Sequence, residues 1–296
     1  MSSYQLINAT PSAPPMVSVA MLAYNHQAYI AEAIESVLMQ QTTFSVVLVI
    51  AEDASPDKTR DVILEYQKKY PERIKLILQG ENVGTAKNNS SLFEHLDGKY
   101  IAALEGDDYW VNPLKLQMQI DFLEANKGYV ACGASTDILR YGKLEITEPP
   151  YPEASFSPLE VRRGYGFPTL TAVFRNRDFA PFFQFQPVVG DIELFLYLSQ
   201  FGDFKQLPFL GGVYRYHGKG AVSGKDPYTN KKMFIRAKIN FNMAFKVFPK
   251  ELFKEDLRNH INAELIRMGK DILKRRKGFR NSVDFIFFCL KLYRTF

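Results

Sequence analysis

Three carboxylates lie within four residues of one another, at Glu105, Asp107 and Asp108. They follow the apolar run of residues 100–104, which has the length and composition of a buried strand. Carboxylates this close repel one another, and a divalent cation offsets that repulsion well because Mg²⁺ and Mn²⁺ take oxygen ligands. Gly106 leaves space for a ligand beside the backbone. The pattern predicts a Mg²⁺ or Mn²⁺ site, with a solvated acidic turn before a helix as the alternative.

The chain before this turn alternates strands and helices, and each strand ends in polar residues. We predict strands over residues 17–22, 45–51, 74–79 and 100–104, with a helix after each of them. The first three strands are followed by Tyr24 and Asn25, by Glu52 and Asp53, and by the segment 82–87. This β-α-β alternation predicts a doubly wound, mostly parallel α/β sheet, which places ligands at the carboxyl ends of its strands.

The second half of the chain has a weaker pattern. Short strands are expected over 129–133, 170–174 and 206–214, and a helix from Asp191 to about residue 201. Residues 141–169 are rich in Pro, Gly, Glu and aromatic residues, which predicts a long functional loop. From residue 229 onwards the sequence is typical of helices, which we expect to form a C-terminal extension.

Six stretches of the sequence resemble family 2 glycosyltransferases, which have the GT-A fold. The acidic turn EGDDYW and the following PLKL resemble the DxD region of that family, with Glu105 where many members have Asp. The others are VSVAMLAYN at 17–25, EDASPDKT at 52–59, the NVG turn at 82–84 followed by Lys87, GDIE at 190–193 and YRYH at 214–217. The resemblance covers about residues 16–224, and its motifs are more specific together than singly.

The resemblance implies an inverting transfer of a sugar from a nucleotide-sugar to a hydroxyl acceptor. A UDP-sugar is the expected donor, and the assembly of a cell-surface polysaccharide or glycolipid is the expected context. The implied donor-binding residues are Ala23, Tyr24, Asn25, Asp53, Gly84, Lys87, Glu105, Asp107 and Arg215. The implied metal ligands are Asp107, Asp108 and His217.

Asp191 is the residue that the resemblance implies as the catalytic base. An attacking sugar hydroxyl must lose its proton as the new bond forms, which requires such a base. Glu193 is the reserve candidate, and helix capping is the structural alternative for Asp191. Arg215 can also bind phosphate oxygens, whereas a lone histidine such as His217 is often structural.

Two other functions remain open at this point. A sugar nucleotidyltransferase has the same fold, but it carries a Gly-rich basic loop after its first strand, where this chain has Ala23 to His26. A non-catalytic protein that binds carbohydrate or an anionic surface would not need acids at several strand ends. Metal-dependent binding of UDP distinguishes the enzyme from such a binding protein.

Composition bounds the protein class. The chain has 296 residues, of which 46% are hydrophobic, and two cysteines, which fits a globular protein of a reducing cytoplasm. Residues 1–15 lack the basic start and apolar core of a signal peptide, so we expect a flexible tail. The expected domains are a catalytic domain over 16–228, with its nucleotide-binding half at about 16–110 and its acceptor half at about 111–228, and a basic helical region over 229–296.

Charge is unevenly distributed along the chain. Residues 1–230 have a net charge of −6, and residues 231–296 have one of +11, from 17 Lys and Arg against 6 Asp and Glu. A basic cluster at 274–277 precedes a helix in which Val283, Ile286, Phe287 and Leu290 share one face, widened by Phe285, Phe288 and Cys289. This pattern predicts peripheral binding to an anionic membrane rather than to nucleic acid. Packing on the catalytic domain or in a homodimer is the alternative.

Overall fold

The computed structural model describes residues 4–147, 152–164, 166–185, 187, 190–218, 227–246, scattered helical residues over 251–266, and 279–295. Two compact units make up the chain. The first contains residues 1–186 and 201–217, and the second contains residues 187–200 and 218–296. The expected basic cluster at 274–277 lies outside the described residues.

Within the described residues, the first unit contains one mixed sheet of 11 strands. The strands are β1 (Tyr4–Ile7), β2 (Val17–Ala23), β3 (Val46–Glu52), β4 (Ile74–Gln79), β5 (Tyr100–Glu105), β6 (Tyr109–Trp110), β7 (Tyr129–Arg140), β8 (Lys143–Glu145), β9 (Ala154–Phe156), β10 (Val173–Arg175) and β11 (Asp203–Tyr216). The main strand order is β1-β4-β3-β2-β5-β10-β7-β11-β6, with β8 beside β7 and β9 beside β11. Strands β4, β3, β2 and β5 are parallel, as are β7 and β11.

Helices flank this sheet, and the predicted α/β fold class is confirmed. They are α1 (Ile30–Leu38), α2 (Thr59–Lys69), α3 (Thr85–Phe93), α4 (Lys115–Ala125), α5 (Pro158–Arg163) and α6 (Ala180–Gln184). All seven residues of β3, which reads VVLVIAE, are buried. Such β-branched runs form the centre of a parallel sheet because helices cover both of its faces.

The segment that follows the carboxyl end of a strand is called its exit below. The parallel strands place their polar exits at one edge of the sheet. Leu22 pairs with Glu105, and Ala23 pairs with Glu52. Because the strands run in the same direction and in register, the segments that follow β2, β3 and β5 leave the sheet side by side. This edge therefore brings together residues that are far apart in the sequence, such as Leu22 and Glu105, which are 83 positions apart.

Several local expectations differ from the structure. Residues 4–7, expected in a flexible tail, form strand β1, which pairs antiparallel with β4. The helix expected after the strand of residues 100–104 begins only at Lys115, because the Asn112 side chain accepts a hydrogen bond from the Leu114 N–H (2.9 Å) and forms a turn first. The segment 141–169 is not one loop, since it contains β8, β9 and α5.

The second unit contains α7 (Asp191–Leu198), α8 (Pro227–Phe245) and α9 (Phe279–Thr295). Helix α7 therefore belongs with the C-terminal helices rather than with the sheet, which differs from the expected domain boundary at residue 228. Helices α7 and α9 both contact α8. Within the described residues, no helix is long and apolar enough to cross a membrane.

Candidate active site

Gly106 allows the acidic turn after β5 to pack closely against the end of β2. Its N–H donates to the Leu22 carbonyl (3.0 Å). A Cβ atom at this position would lie 2.8 Å from Nδ1 of His26 and 3.0 Å from the Leu22 carbonyl oxygen, which is too close for a side chain. The glycine thus positions the carboxylates on either side of it against the β2 exit.

Asp107 lies between two imidazole rings. Its Oδ2 atom is 3.0 Å from Nε2 of His217 and 3.7 Å from Nε2 of His26. The His217 ring stacks on Tyr29 with ring centroids 5.3 Å apart. Burial lowers the pKa of His26, and the nearby His217 lowers this pKa further. The charge of Asp107 acts in the opposite direction. Two of the predicted metal ligands, Asp107 and His217, therefore meet.

Asp108, the third predicted metal ligand, points into the protein. It is 2% exposed, and its Oδ1 accepts a hydrogen bond from the Arg215 N–H (2.7 Å). Burial, together with the charges of Glu105 and Asp107, raises the pKa of Asp108 to about 9. Asp108 therefore joins the acidic turn to strand β11, while Glu105 remains half-buried at the end of β5.

Arg215 connects β11 to the acidic turn and to α1. Its guanidinium donates to the Asp107 carbonyl and to a carboxylate oxygen of Glu32 (2.6 Å). The same group lies 4.7 Å from the centre of the Tyr29 ring and 5.0 Å from that of Tyr109. These contacts hold the backbone that carries both Asp107 and His217, so Arg215 has a structural role in addition to its predicted contact with phosphate.

The exit of β3 has a different environment. Glu52 is fully buried, accepts a hydrogen bond from the Ser55 N–H (2.6 Å) and forms an ion pair with Arg60. Asp53 is buried, and its two oxygens accept from the N–H groups of residues 83 (2.8 Å) and 84 (3.0 Å). Glu52 and Asp53 thus both hold nearby backbone, and Glu52 also pairs with the half-buried Arg60.

The remaining predicted donor-binding residues surround these strand ends. Ala23 is buried and its carbonyl accepts from the Asp53 N–H (3.1 Å), whereas Tyr24 and Asn25 are exposed. Gly84 has φ = 81°, a conformation that favours glycine, and precedes α3, where Lys87 is exposed. The side chains of Tyr24, Asn25 and Lys87 are thus accessible to a ligand at this edge.

Asp191 is the first residue of α7 and is exposed. Its Oδ1 accepts a hydrogen bond from the Ile192 N–H (3.1 Å). Glu193, the reserve base, is fully buried and accepts from the Gly190 N–H (3.0 Å), so it caps its own helix. Exposure makes Asp191 the better candidate of the two for proton transfer.

Sequence reasoning missed three residues that complete the Asp107 environment: His26, Tyr29 and Glu32. They lie more than 70 positions before Asp107, and only the parallel pairing of β2 with β5 brings them together. Nδ1 of His26 is buried without a hydrogen-bond partner. The available signal was the position of His26 three residues after β2, at the edge where the other exits meet.

Asp107 and His217 are suitable ligands for a divalent cation whose other coordination positions are filled by substrate oxygens. The part of the chain that the structure describes has no group of three or more His, Cys, Asp or Glu side chains placed to hold a metal ion. Asp107 Oδ2 and His217 Nε2, 3.0 Å apart, are spaced like two neighbouring ligands of one octahedral ion, whose ligand distances are about 2.1 Å. Such ions often take only one or two protein ligands and bind phosphate oxygens at the other positions.

Comparisons with known proteins concern the family and the fold of the chain. The profile described as glycosyl transferase family 2 matches residues 18–169. An uncharacterised Mycobacterium tuberculosis protein, Rv1520, is 30% identical over 227 residues, which are 74% of this chain and 63% of that protein. The chain thus spans somewhat less than two thirds of that relative.

Solved structures share the fold at low sequence identity. TarS of S. aureus in complex with UDP-GlcNAc aligns with a TM-score of 0.58 and 15% identity over 94% of this chain and 91% of that one. The mannosyltransferase PcManGT of Pyrobaculum calidifontis, in complex with GDP-Man and Mn²⁺, aligns with a TM-score of 0.55 and 13% identity over 96% and 87%. These similarities show a GT-A-like fold.

Proposed function

The chain belongs to glycosyl transferase family 2, and we propose that it moves a sugar from a nucleotide-sugar to a hydroxyl acceptor. The observation that carries the proposal is the pair of Asp107 and His217, whose ligand atoms are 3.0 Å apart at the carboxyl edge of the sheet. Open α/β sheets bind their ligands at this edge. The expected context is the assembly of a cell-surface polysaccharide or glycolipid.

Asp107 and His217 would hold Mn²⁺ or Mg²⁺, and the cation would stabilise the negative charge of the departing nucleoside diphosphate. Asp108, which we also expected to bind the metal, is better placed to orient the turn, because its oxygen accepts from the Arg215 N–H. Glu105 remains a candidate for the ribose or for the ion. The Mn²⁺ complex of PcManGT supports a divalent ion without identifying it for this chain.

The nucleotide would lie across the exits of β2, β3 and β4. Tyr24 and Asn25 would contact the base, Asp53 the base or ribose, and Lys87 the ribose or diphosphate. The backbone of Gly84 would lie near the same part of the nucleotide as Lys87. We expect a UDP-sugar, and the UDP-GlcNAc complex of TarS supports this class, although PcManGT binds GDP-Man.

Asp191 would act as the general base of a single displacement. The acceptor hydroxyl oxygen bonds to the anomeric carbon, the bond from that carbon to the diphosphate oxygen breaks, and the hydroxyl proton passes to the Asp191 carboxylate. The nucleoside diphosphate leaves on the opposite side, so the configuration at the anomeric carbon inverts. Exposure of Asp191 supports this role.

A screen of UDP- and GDP-sugars for hydrolysis and transfer, with product detection by mass spectrometry, tests the proposal. We expect Mn²⁺-dependent release of one nucleoside diphosphate. Asp191→Asn should lower kcat by about 100-fold or more with little change in donor affinity, as expected for loss of a general base. Asp178→Asn, at an exposed acid before α6, is the matched control and should retain activity. No turnover with any nucleotide-sugar and acceptor would contradict the enzyme proposal.

A further inference from the structure

Helix α9 has two apolar sides, and only one of them is covered by the described residues of its unit. Phe285 and Cys289 are buried, and α9 contacts α8. Lys231 of α8 lies over the Phe285 ring at 5.6 Å, and Arg236 lies over the Phe288 ring at 5.2 Å. This side of α9 therefore packs on helix α8 of the same unit.

The other side of α9 carries Val283, Phe287 and Leu290, which are spaced by four and three residues and so share one helical face. Phe287 is 66% exposed and Leu290 is 37% exposed. The same unit also exposes Met243 and Ile266. Large apolar side chains on a helix face are rarely left in water unless another surface covers them.

The charge of this region indicates what covers that face. The 66 residues from 231 to 296, all in the second unit, have a net charge of +11. Lys291, next to Leu290, is exposed, as are Arg236 and Lys246. Two copies of so basic a surface would repel each other, whereas an anionic bilayer attracts it and also accepts apolar side chains. A nucleic acid backbone would use the charge but not Phe287 and Leu290.

We propose that the second unit binds an anionic phospholipid surface, with Val283, Phe287 and Leu290 of α9 inserted at the level of the headgroups. The basic residues contribute a long-range attraction that weakens with salt, and the apolar face contributes contact with the acyl boundary. This arrangement would keep the chain at a membrane surface. It does not depend on whether the chain transfers a sugar.

Vesicle flotation of the full chain tests the proposal. The wild type should float with vesicles of phosphatidylcholine and phosphatidylglycerol at low salt, but not with phosphatidylcholine alone. Phe287→Ser with Leu290→Ser should lower the partition coefficient by about 10-fold or more, because each apolar side chain loses its burial in lipid. Ile146→Ser is the matched control, since Ile146 is also 66% exposed but lies in the first unit. Thermal unfolding should show that all variants remain folded.

Three outcomes would overturn the inference. The first is a wild type that does not float with anionic vesicles. The second is a double variant that floats as well as the wild type, which would indicate attraction by charge alone. The third is a wild-type dimer in light scattering that the double variant converts to a monomer, which assigns the face to a second copy. Calorimetric titration of UDP with the double variant separates this question from the proposed activity, because donor binding should be unchanged.

Discussion

The exits of β3 and β5 carry similar acids but use them differently. Glu52 and Asp53 are buried, and an ion pair with Arg60 and three backbone N–H groups satisfy them. At β5, Asp108 alone is turned inward in this way, while Asp107 faces two imidazoles at 3.0 and 3.7 Å.

The difference indicates that an acid pair at a strand end is not by itself a metal site. What distinguishes the β5 exit is Gly106, which allows a carboxylate to approach the β2 exit, and β11, which brings His217 to the same carboxylate. The β3 exit lacks such a partner among the described residues and instead receives the N–H groups of the turn before α3. The β3 exit thus shapes the edge of the sheet, and the β5 exit would supply ligand atoms for the proposed cation.

Asp107→Asn should have the largest effect on function. The amide is a neutral, weaker ligand, so kcat/KM for the nucleotide-sugar should fall by about 1,000-fold or more, comparable to the loss of a key electrostatic group. Steady-state kinetics at several Mn²⁺ concentrations measure this. Asp61→Asn, on the exposed surface of α2, is the control and should behave as the wild type. An Asp107→Asn variant with wild-type activity would show that the β5 exit, like the β3 exit, supplies no metal ligand that the activity requires.

Arg60→Met should have the largest effect on stability at the β3 exit. It leaves the Glu52 carboxylate buried without its cation, which should lower the free energy of unfolding by about 3 kcal/mol. Urea unfolding followed by circular dichroism measures it. Lys127→Met, which breaks the exposed pair with Glu124, is the control and should cost less than about 1 kcal/mol. Equal losses for both would mean that Glu52 does not need its partner.

Asp53→Asn should have a smaller effect on stability. The amide can accept from only one of the two N–H groups that the carboxylate satisfies, so the free energy of unfolding should fall by about 1–2 kcal/mol. Hydrogen exchange should accelerate at Val83 and Gly84 first. Unchanged exchange at these amides would show that Asp53 does not hold the turn, and that its carboxylate serves only the nucleotide.

Asp108→Asn should have the smallest effect of the four. Burial and neighbouring charges raise the pKa of Asp108 to about 9, so its neutral form already predominates near pH 7, and the Asn oxygen can still accept from the Arg215 N–H. We expect less than a 10-fold change in kcat/KM. A loss of kcat/KM as large as that of Asp107→Asn would indicate that Asp108 is a metal ligand, as Asp107 is proposed to be.

The parallel half of the sheet was predictable because its strands are unbroken apolar runs. Strand β4, for example, spans Ile74–Gln79, as expected. Strand β1 was not predicted, since YQLI is short and half-polar and, among the described strands, it pairs only with β4. Strand β11 extends beyond both predicted ends because its pairing with β7, rather than its own pattern, determines its length.

The site was predictable only in part, and for a similar reason. Asp107 and His217 follow recognisable local patterns, so the sequence suggested both. The contributions of Tyr29 and Glu32 depend on the contact between α1 and Arg215, which no local pattern encodes. The inward orientation of Asp108 likewise arises from its pairing with the backbone of β11.

Calorimetric titration of UDP tests the central claim most directly, because it measures whether a cation held by Asp107 and His217 binds the donor diphosphate. The wild type should bind UDP at least about 10-fold more tightly with Mn²⁺ than with EDTA. His217→Ala should lose most of this gain, while Asp108→Asn should keep it. Equal UDP affinity with and without Mn²⁺ in the wild type, or an undiminished Mn²⁺ effect in His217→Ala, would contradict the account.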